Sequence, residues 1–210
     1  MRTRIKFCGC TSARDALLAA HAGADAIGMI FADSPRRIDE RTAREIAHEL
    51  PPFVTAVGVF ADPALADIER MQAIFPGLVV QLHGDEAPHF VNEAGARVIK
   101  AVHVRPGQED AAEMQDAAAR HPNAMLLFDT SAGGKHGGTG VAFDWSALAP
   151  IARKRRIVVS GGLTPENVAD CVRTVRPFAV DVRSGIETAG AKDAAKMRAF
   201  VQAVRDADAA

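Results

Sequence analysis

Short apolar runs rich in Val, Ile, Phe and Leu recur along the chain at residues 4–8, 25–31, 53–60, 78–82, 97–102, 124–128, 156–159 and 177–182. Between them lie stretches with helical periodicity. Several of these open on a recognisable cap: Ser12 to Asp15, Asp62-Pro63, and Thr164-Pro165-Glu166, where proline falls in the first helical turn. The order is strand then helix throughout. Strands joined by single helices imply parallel pairing with right-handed crossovers, and eight such units are what a closed (β/α)8 TIM barrel requires. A doubly wound open sheet is the alternative α/β arrangement. No linker or shift of composition divides the chain, so residues 1–210 read as one domain. The Ala-rich stretches at 110–120 and 205–210 look like solvated helix or a frayed end.

The two-residue period of a strand assigns faces. In the first run, Ile5 and Phe7 would meet the surrounding helices, leaving Arg4, Lys6 and Cys8 on the barrel axis. In the sixth, Leu126 and Phe128 would face outward and Asp129 inward, at the strand end where barrel enzymes assemble their sites. Cys8 and Asp129 are then expected to face one cavity.

Length and charge narrow the function. A chain of 210 residues sits at the lower end of the barrel range but can bury one substantial core. Its net charge of −1 offers no general attraction to nucleic acid or to an anionic membrane, which favours a small-molecule ligand held by a few local groups. The N-terminal MRTRIKFCGC lacks the apolar run of a signal peptide, and no apolar stretch is long enough to span a bilayer, so a cytoplasmic protein is expected. Three cysteines, Cys8, Cys10 and Cys171, cannot all pair and are expected to be free thiols.

The candidate chemistry lies after the runs. Ser160-Gly161-Gly162 follows the seventh, and paired glycines let backbone N–H groups approach an anion. Asp181 to Glu187, with Ser184 and Gly185, follows the eighth, and the loops after strands 7 and 8 form the phosphate grip of many barrels. The competing reading is that these glycines only permit tight turns. Residues 129–142 exceed a minimal turn and read as a loop able to close over a ligand. Gly134-Lys135 lacks the Ser or Thr of a nucleotide P-loop, and Gly138-Thr139-Gly140 lacks the third glycine of a dinucleotide fingerprint.

Cys8 is either a small core hydrophobe or a reactive thiol; Lys6 on the same face would favour the thiolate, unless Lys6 pairs with Asp181. His83, inward with Gln81, either contacts substrate or satisfies its neighbours. Arg36, with Arg37 as the alternative if the loop is shifted by one, could clamp a carboxylate. No metal site is expected, since Cys8 and Cys10 lack a standard ligand spacing and no second Cys/His pair follows.

Taken in order, Lys6-Phe7-Cys8-Gly9, Ser34-Pro35-Arg36, Gln81-Leu82-His83-Gly84, Asp129 with Gly137-Gly138-Thr139-Gly140 and Phe143-Asp144-Trp145, Ser160-Gly161-Gly162, and Asp181 to Glu187 resemble the phosphoribosylanthranilate isomerase family from the first strand to the last helix. The resemblance implies a cofactor-free Amadori rearrangement of N-(5-phosphoribosyl)anthranilate in tryptophan biosynthesis, by a monomer or homodimer. It implies Asp129 as general acid, Cys8 as general base, Arg36 at the anthranilate carboxylate, and Gly161, Gly162, Ser184 and Gly185 at the phosphate. An acid working near neutral pH must hold its proton, so Asp129 is expected with a raised pKa and Cys8 with a lowered one. Arg183, where the family often has Ser, and Cys10, where it has an aliphatic residue, are departures that remove no catalytic group. Two rivals are weighed. The histidine-pathway isomerase, a sister barrel using carboxylates, is disfavoured by Cys8 and by the lack of a half-barrel repeat. A non-catalytic phosphate-binding protein is disfavoured by the presence of both Cys8 and Asp129.

Overall fold

The computed structural model describes residues 2–95, 97–104, 111–129 and 144–210. Strands β1 (Arg4–Cys8), β2 (Ala26–Ile30), β3 (Thr55–Phe60), β4 (Val79–Leu82), β5 (Val98–His103), β6 (Met125–Asp129), β7 (Ile157–Ser160) and β8 (Ala179–Val182) pair in sequence order. All eight pairings are parallel, and β1 closes on β8 through Lys6 opposite Asp181 and Phe7 opposite Val182. Closure excludes the open sheet and confirms the barrel. Helices α1 (Ala13–Ala22), α2 (Glu40–Glu49), α3 (Leu65–Ile74), α4 (Pro88–Glu93), α5 (Ala111–Arg120), α6 (Ala149–Ala152), α7 (Val168–Val175) and α8 (Ala194–Ala209) follow the strands in turn. After β8 the chain makes a small antiparallel ribbon of β9 (Glu187–Thr188) and β10 (Ala191–Lys192).

Alternation along the strands builds two cores. Outward residues such as Phe7, Ile27, Met29, Leu126 and Phe128 join the large cluster shared with the helices, as expected for Phe7, Leu126 and Phe128. Phe7 meets Phe200 of α8 edge-on, with ring centroids 5.9 Å apart. Inward residues fill the barrel in layers: Ala101, Leu127, Val158 and Ala179 pack together, and Cys8, Ile30 and Val59 pack at the level of the β1–β3 ends.

Among the caps, Ser12 behaves as expected, accepting a hydrogen bond from the Asp15 amide. Asp62 does not cap α3. That helix begins at Leu65 after Ala64, while the Asp62 carboxylate accepts from the Asp85 amide, tying the β3 loop to the β4 loop. Thr164-Pro165-Glu166 forms a turn rather than the first turn of α7, which starts at Val168. Thr164 Oγ1 accepts there from the Glu166 amide and Asn167 Oδ1 from the Thr164 amide, while the Val168 amide, the first of α7, donates back to the Thr164 carbonyl, so the turn satisfies the donors ahead of the helix.

Among the described residues no helix is long and apolar enough to cross a membrane. Cys8, Cys10 and Cys171 are free and buried, as the odd count implied. Cys10 and Cys171 belong to the outer core.

Candidate active site

The ends of the strands differ from their beginnings. Three strands run one residue past their apolar runs to finish on His103, Asp129 and Ser160. His103 is opposite Asp129 and Asp129 opposite Ser160 in the pairing register. These residues, with Cys8 closing β1 and His83 following β4, form a polar layer at the C-terminal mouth.

Cys8 is 7% exposed and held from three sides. Lys6, two residues earlier, lies beneath it and bonds to Asp181 at 2.9 Å, so the alternative pairing weighed for Lys6 is the one formed. Burial lowers the lysine pKa, but Asp181 and Cys8 outweigh it, so the ammonium stays charged. The β10 lysine, Lys192, donates to the Cys8 carbonyl at 2.5 Å. Room for the thiol comes from β2: a Cβ on Gly28 would sit 2.7 Å from Cys8 Sγ and 3.1 Å from Lys6 Nζ. The expectation of a depressed thiol pKa is not met. Burial pushes Cys8 above its ordinary 9.0 with help from Asp181, and the cations of Lys6 and Lys192 only partly offset it. Lys6 is the strongest of the charges favouring a thiolate, but Asp181 beside it works the other way, and burial outweighs what the cations supply.

Asp129 is 7% exposed, and its Oδ2 lies 3.1 Å from Nε2 of His83. The amide nitrogen of Gln81 is 3.1 Å from Nδ1 of the same ring. An amide N–H only donates, so Nδ1 accepts and Nε2 carries the ring proton toward Asp129. His83 is thus paired with both neighbours, and its ring meets that of His103 edge-on at 4.9 Å.

Arg36 reaches the mouth from the loop after β2. It grips Glu187 through two hydrogen bonds, Nε to Oε1 at 2.9 Å and Nη2 to Oε2. Glu187 also takes Lys192 at 2.8 Å, and both side chains of that second pair are almost wholly buried. Gly9, at φ +73°, lets the aliphatic stem of Arg36 pass, since a Cβ there would be 3.1 Å from Arg36 Cδ; the stem of Arg183 lies alongside at 3.4 Å. Arg37 is exposed.

Gly161 and Gly162 have φ of +85° and +64°, and they turn the chain sharply after β7. Ser184 and Gly185 open a short 3-10 turn after β8. A Cβ on Gly185 would fall 2.0 Å from the Leu163 carbonyl oxygen, so the two turns are in backbone contact. Residues 130–143, including the expected closing loop with Gly137, Gly138, Thr139 and Gly140, lie outside the described residues.

Sequence reasoning did not single out Gly28, His103, Lys192 or the pairing role of Glu187. A glycine inside the apolar run Ala26-Ile-Gly-Met-Ile30 was a readable sign of close approach. Lys192 contacts Cys8 across 184 positions and carries no local signal.

A closed parallel barrel with its acid, thiol and cations gathered at the C-terminal rim defines a (β/α)8-barrel enzyme. Residues 5–203 match the family described as N-(5'phosphoribosyl)anthranilate (PRA) isomerase. The chain belongs to that family. It is 48% identical over 207 residues to the N-(5'-phosphoribosyl)anthranilate isomerase of Pseudomonas putida strain GB-1, covering 97% of this chain and 98% of that protein. Among solved structures, phosphoribosyl anthranilate isomerase from Thermotoga maritima aligns with a TM-score of 0.88 at 39% identity, over 97% of this chain and 99% of that one. Another, a phosphoribosyl anthranilate isomerase in complex with reduced 1-(o-carboxyphenylamino)-1-deoxyribulose 5-phosphate, aligns at 0.84 and 37% identity over 97% and 99%.

Proposed function

We propose that the chain isomerises N-(5'-phosphoribosyl)anthranilate to 1-(o-carboxyphenylamino)-1-deoxyribulose 5-phosphate, the tryptophan-pathway step, in the cytoplasm. The observation that carries the reading is a buried carboxyl and a buried thiol on the inner face of one barrel mouth, Asp129 ending β6 and Cys8 ending β1. An aldose-to-ketose rearrangement needs one group to give a proton and another to take one.

Asp129 protonates the ribose ring oxygen. The bond from that oxygen to C1 breaks, and the anilino nitrogen supplies the electron pair that forms the Schiff base. Cys8, as thiolate, then removes the C2 proton, and those electrons neutralise the iminium to give an enolamine that tautomerises to the ketone. His83, bonded to Asp129, is placed to orient its carboxyl. Because burial keeps Cys8 mostly protonated, the working base is a minority thiolate, paired with Lys6 below it.

Arg36 suits the anthranilate carboxylate, with Glu187 holding its Nε and Nη2 and so fixing the guanidinium that would meet it. Gly161, Gly162, Ser184 and Gly185 suit the phosphate: the glycine turn and the short turn after β8 touch, and their backbone amides can converge on one anion. A dimer or a monomer is compatible with this site, which one barrel supplies.

Substrate is fluorescent at its anthranilate group, so its disappearance reports turnover without metals or cofactors. Asp129→Asn and Cys8→Ala are each expected to lower kcat by at least about 100-fold with an unchanged circular dichroism spectrum. Wild-type turnover in either variant would remove that residue from the mechanism; no turnover by the folded wild type would overturn the assignment.

A further inference from the structure

His83, His103 and Asp129 crown three successive strands, and one ligand atom from each lies within 4.8 Å of the others. We propose that this layer is a divalent transition-metal site, and that an ion of the zinc class seated there reversibly silences Asp129. Two imidazoles and a carboxylate leaving a coordination position open are a donor set that zinc, cobalt and nickel accept.

The spacing suits such an ion. Ligands about 2.1 Å from a tetrahedral metal stand roughly 3.4 Å apart. His83 Nε2 and Asp129 Oδ2 are already 3.1 Å apart, so that pair needs little movement, and the exposed His103 ring supplies the rest of the adjustment from within 4.8 Å. Two of the ligands end strands and the third follows one directly: His103 is opposite Asp129 in register, and the His83 amide, just past β4, is fixed to the Phe60 carbonyl.

Outer hydrogen bonds set both rings. A nitrogen of His103, Nε2, lies 2.9 Å from the His83 carbonyl oxygen, which can only accept. Nε2 therefore carries the proton and Nδ1 keeps the lone pair, the arrangement common to metal-bound histidines. His83 needs its proton moved: coordination through Nε2 transfers it, by way of solvent, to Nδ1, which then requires an acceptor. Gln81 is 1% exposed, and its Oε1 is buried without a hydrogen-bond partner among the described residues. A half-turn of that amide exchanges its nitrogen for Oε1 at Nδ1, so the proton moved there by the metal finds an acceptor within the same side chain.

The silencing half of the inference rests on the acid role proposed for Asp129, because a carboxylate bound to a dication cannot deliver a proton to the sugar; the binding half does not. The test uses the full chain freed of metal by chelation, with Co2+ as a spectroscopic probe. Expected are visible d–d bands saturating at a single equivalent, displaced by Zn2+, without the charge-transfer band of a cobalt–thiolate bond. His103→Ala, altered at an exposed rim position, should weaken Co2+ binding by more than about tenfold. Zn2+ should abolish turnover, chelator should restore it, and His103→Ala should resist Zn2+ relative to its own metal-free rate. Absence of the bands, their persistence in His103→Ala, or a thiolate band from Cys8 would overturn the site. Full turnover with the site occupied would overturn the silencing. Bands lost in His103→Ala support the site even if the isomerase assay itself fails.

Discussion

A methyl group on Gly28 would lie 2.7 Å from the Cys8 sulfur and 3.1 Å from the Cys8 Cα, so the thiol's position is set by an absent side chain on the neighbouring strand. Gly28→Ala should therefore displace Sγ or the ammonium of Lys6 before it disrupts the sheet. The expected outcome is a loss of kcat above about tenfold with a stability cost of about 1–3 kcal/mol, measured by turnover and urea unfolding on the same protein. A variant that unfolds but keeps its specific activity per folded molecule would show that Gly28 serves packing alone. Of the residues the period-2 reading placed inward on the first and sixth strands, Lys6, Cys8 and Asp129 are buried, because alternation is a strict geometric rule, while Arg4, at the start of β1, is half-buried with its guanidinium over Phe178. The proton affinity of Cys8 was misread for a different reason. Its charge environment depends on Asp181 and Lys192, both more than 170 positions away, and on burial no local pattern reveals.

The ribbon of β9 and β10 acts as a strap on the mouth. Glu187 on one strand receives Arg36 and Lys192 together, and Lys192 on the other holds the Cys8 carbonyl. Glu187→Gln removes the shared counter-charge and leaves two cations facing a neutral amide, one of them almost fully buried. We expect a loss of about 3–5 kcal/mol, read as a lowered denaturation midpoint, and a raised KM from the unmoored Arg36. An unchanged midpoint would mean that the cations find water or other acceptors. The barrel's existence and strand order were legible because each run is a continuous apolar segment. The strand ends were not: His103, Asp129 and Ser160 are polar, so the apolar runs stop short while the ladder continues. The same local blindness hid the ribbon, whose strands are two residues each.

At the scale of the whole molecule, buried thiols set an alkaline limit. Burial pushes Cys10 and Cys171 up to about 12 from an ordinary 9.0. The folded state keeps these protons where the unfolded chain has begun to lose them. Stability contributed below pH 9 is therefore lost as pH rises from 9 toward 12, at up to about 1.4 kcal/mol per pH unit for each thiol. Urea unfolding from pH 8 to 10.5 should show this decline, and a Cys10→Ala, Cys171→Ala double variant should show a shallower one; equal slopes would assign it to other groups.

The contact between the turns after β7 and β8 has a consequence for anyone re-engineering this barrel. With the Leu163 carbonyl occupying the space where Gly185 would carry a side chain, the two turns are mutually moulded and can neither shift nor be exchanged singly. They form a single cassette, transferable between barrels as a matched pair and spoiled when either half is transplanted alone.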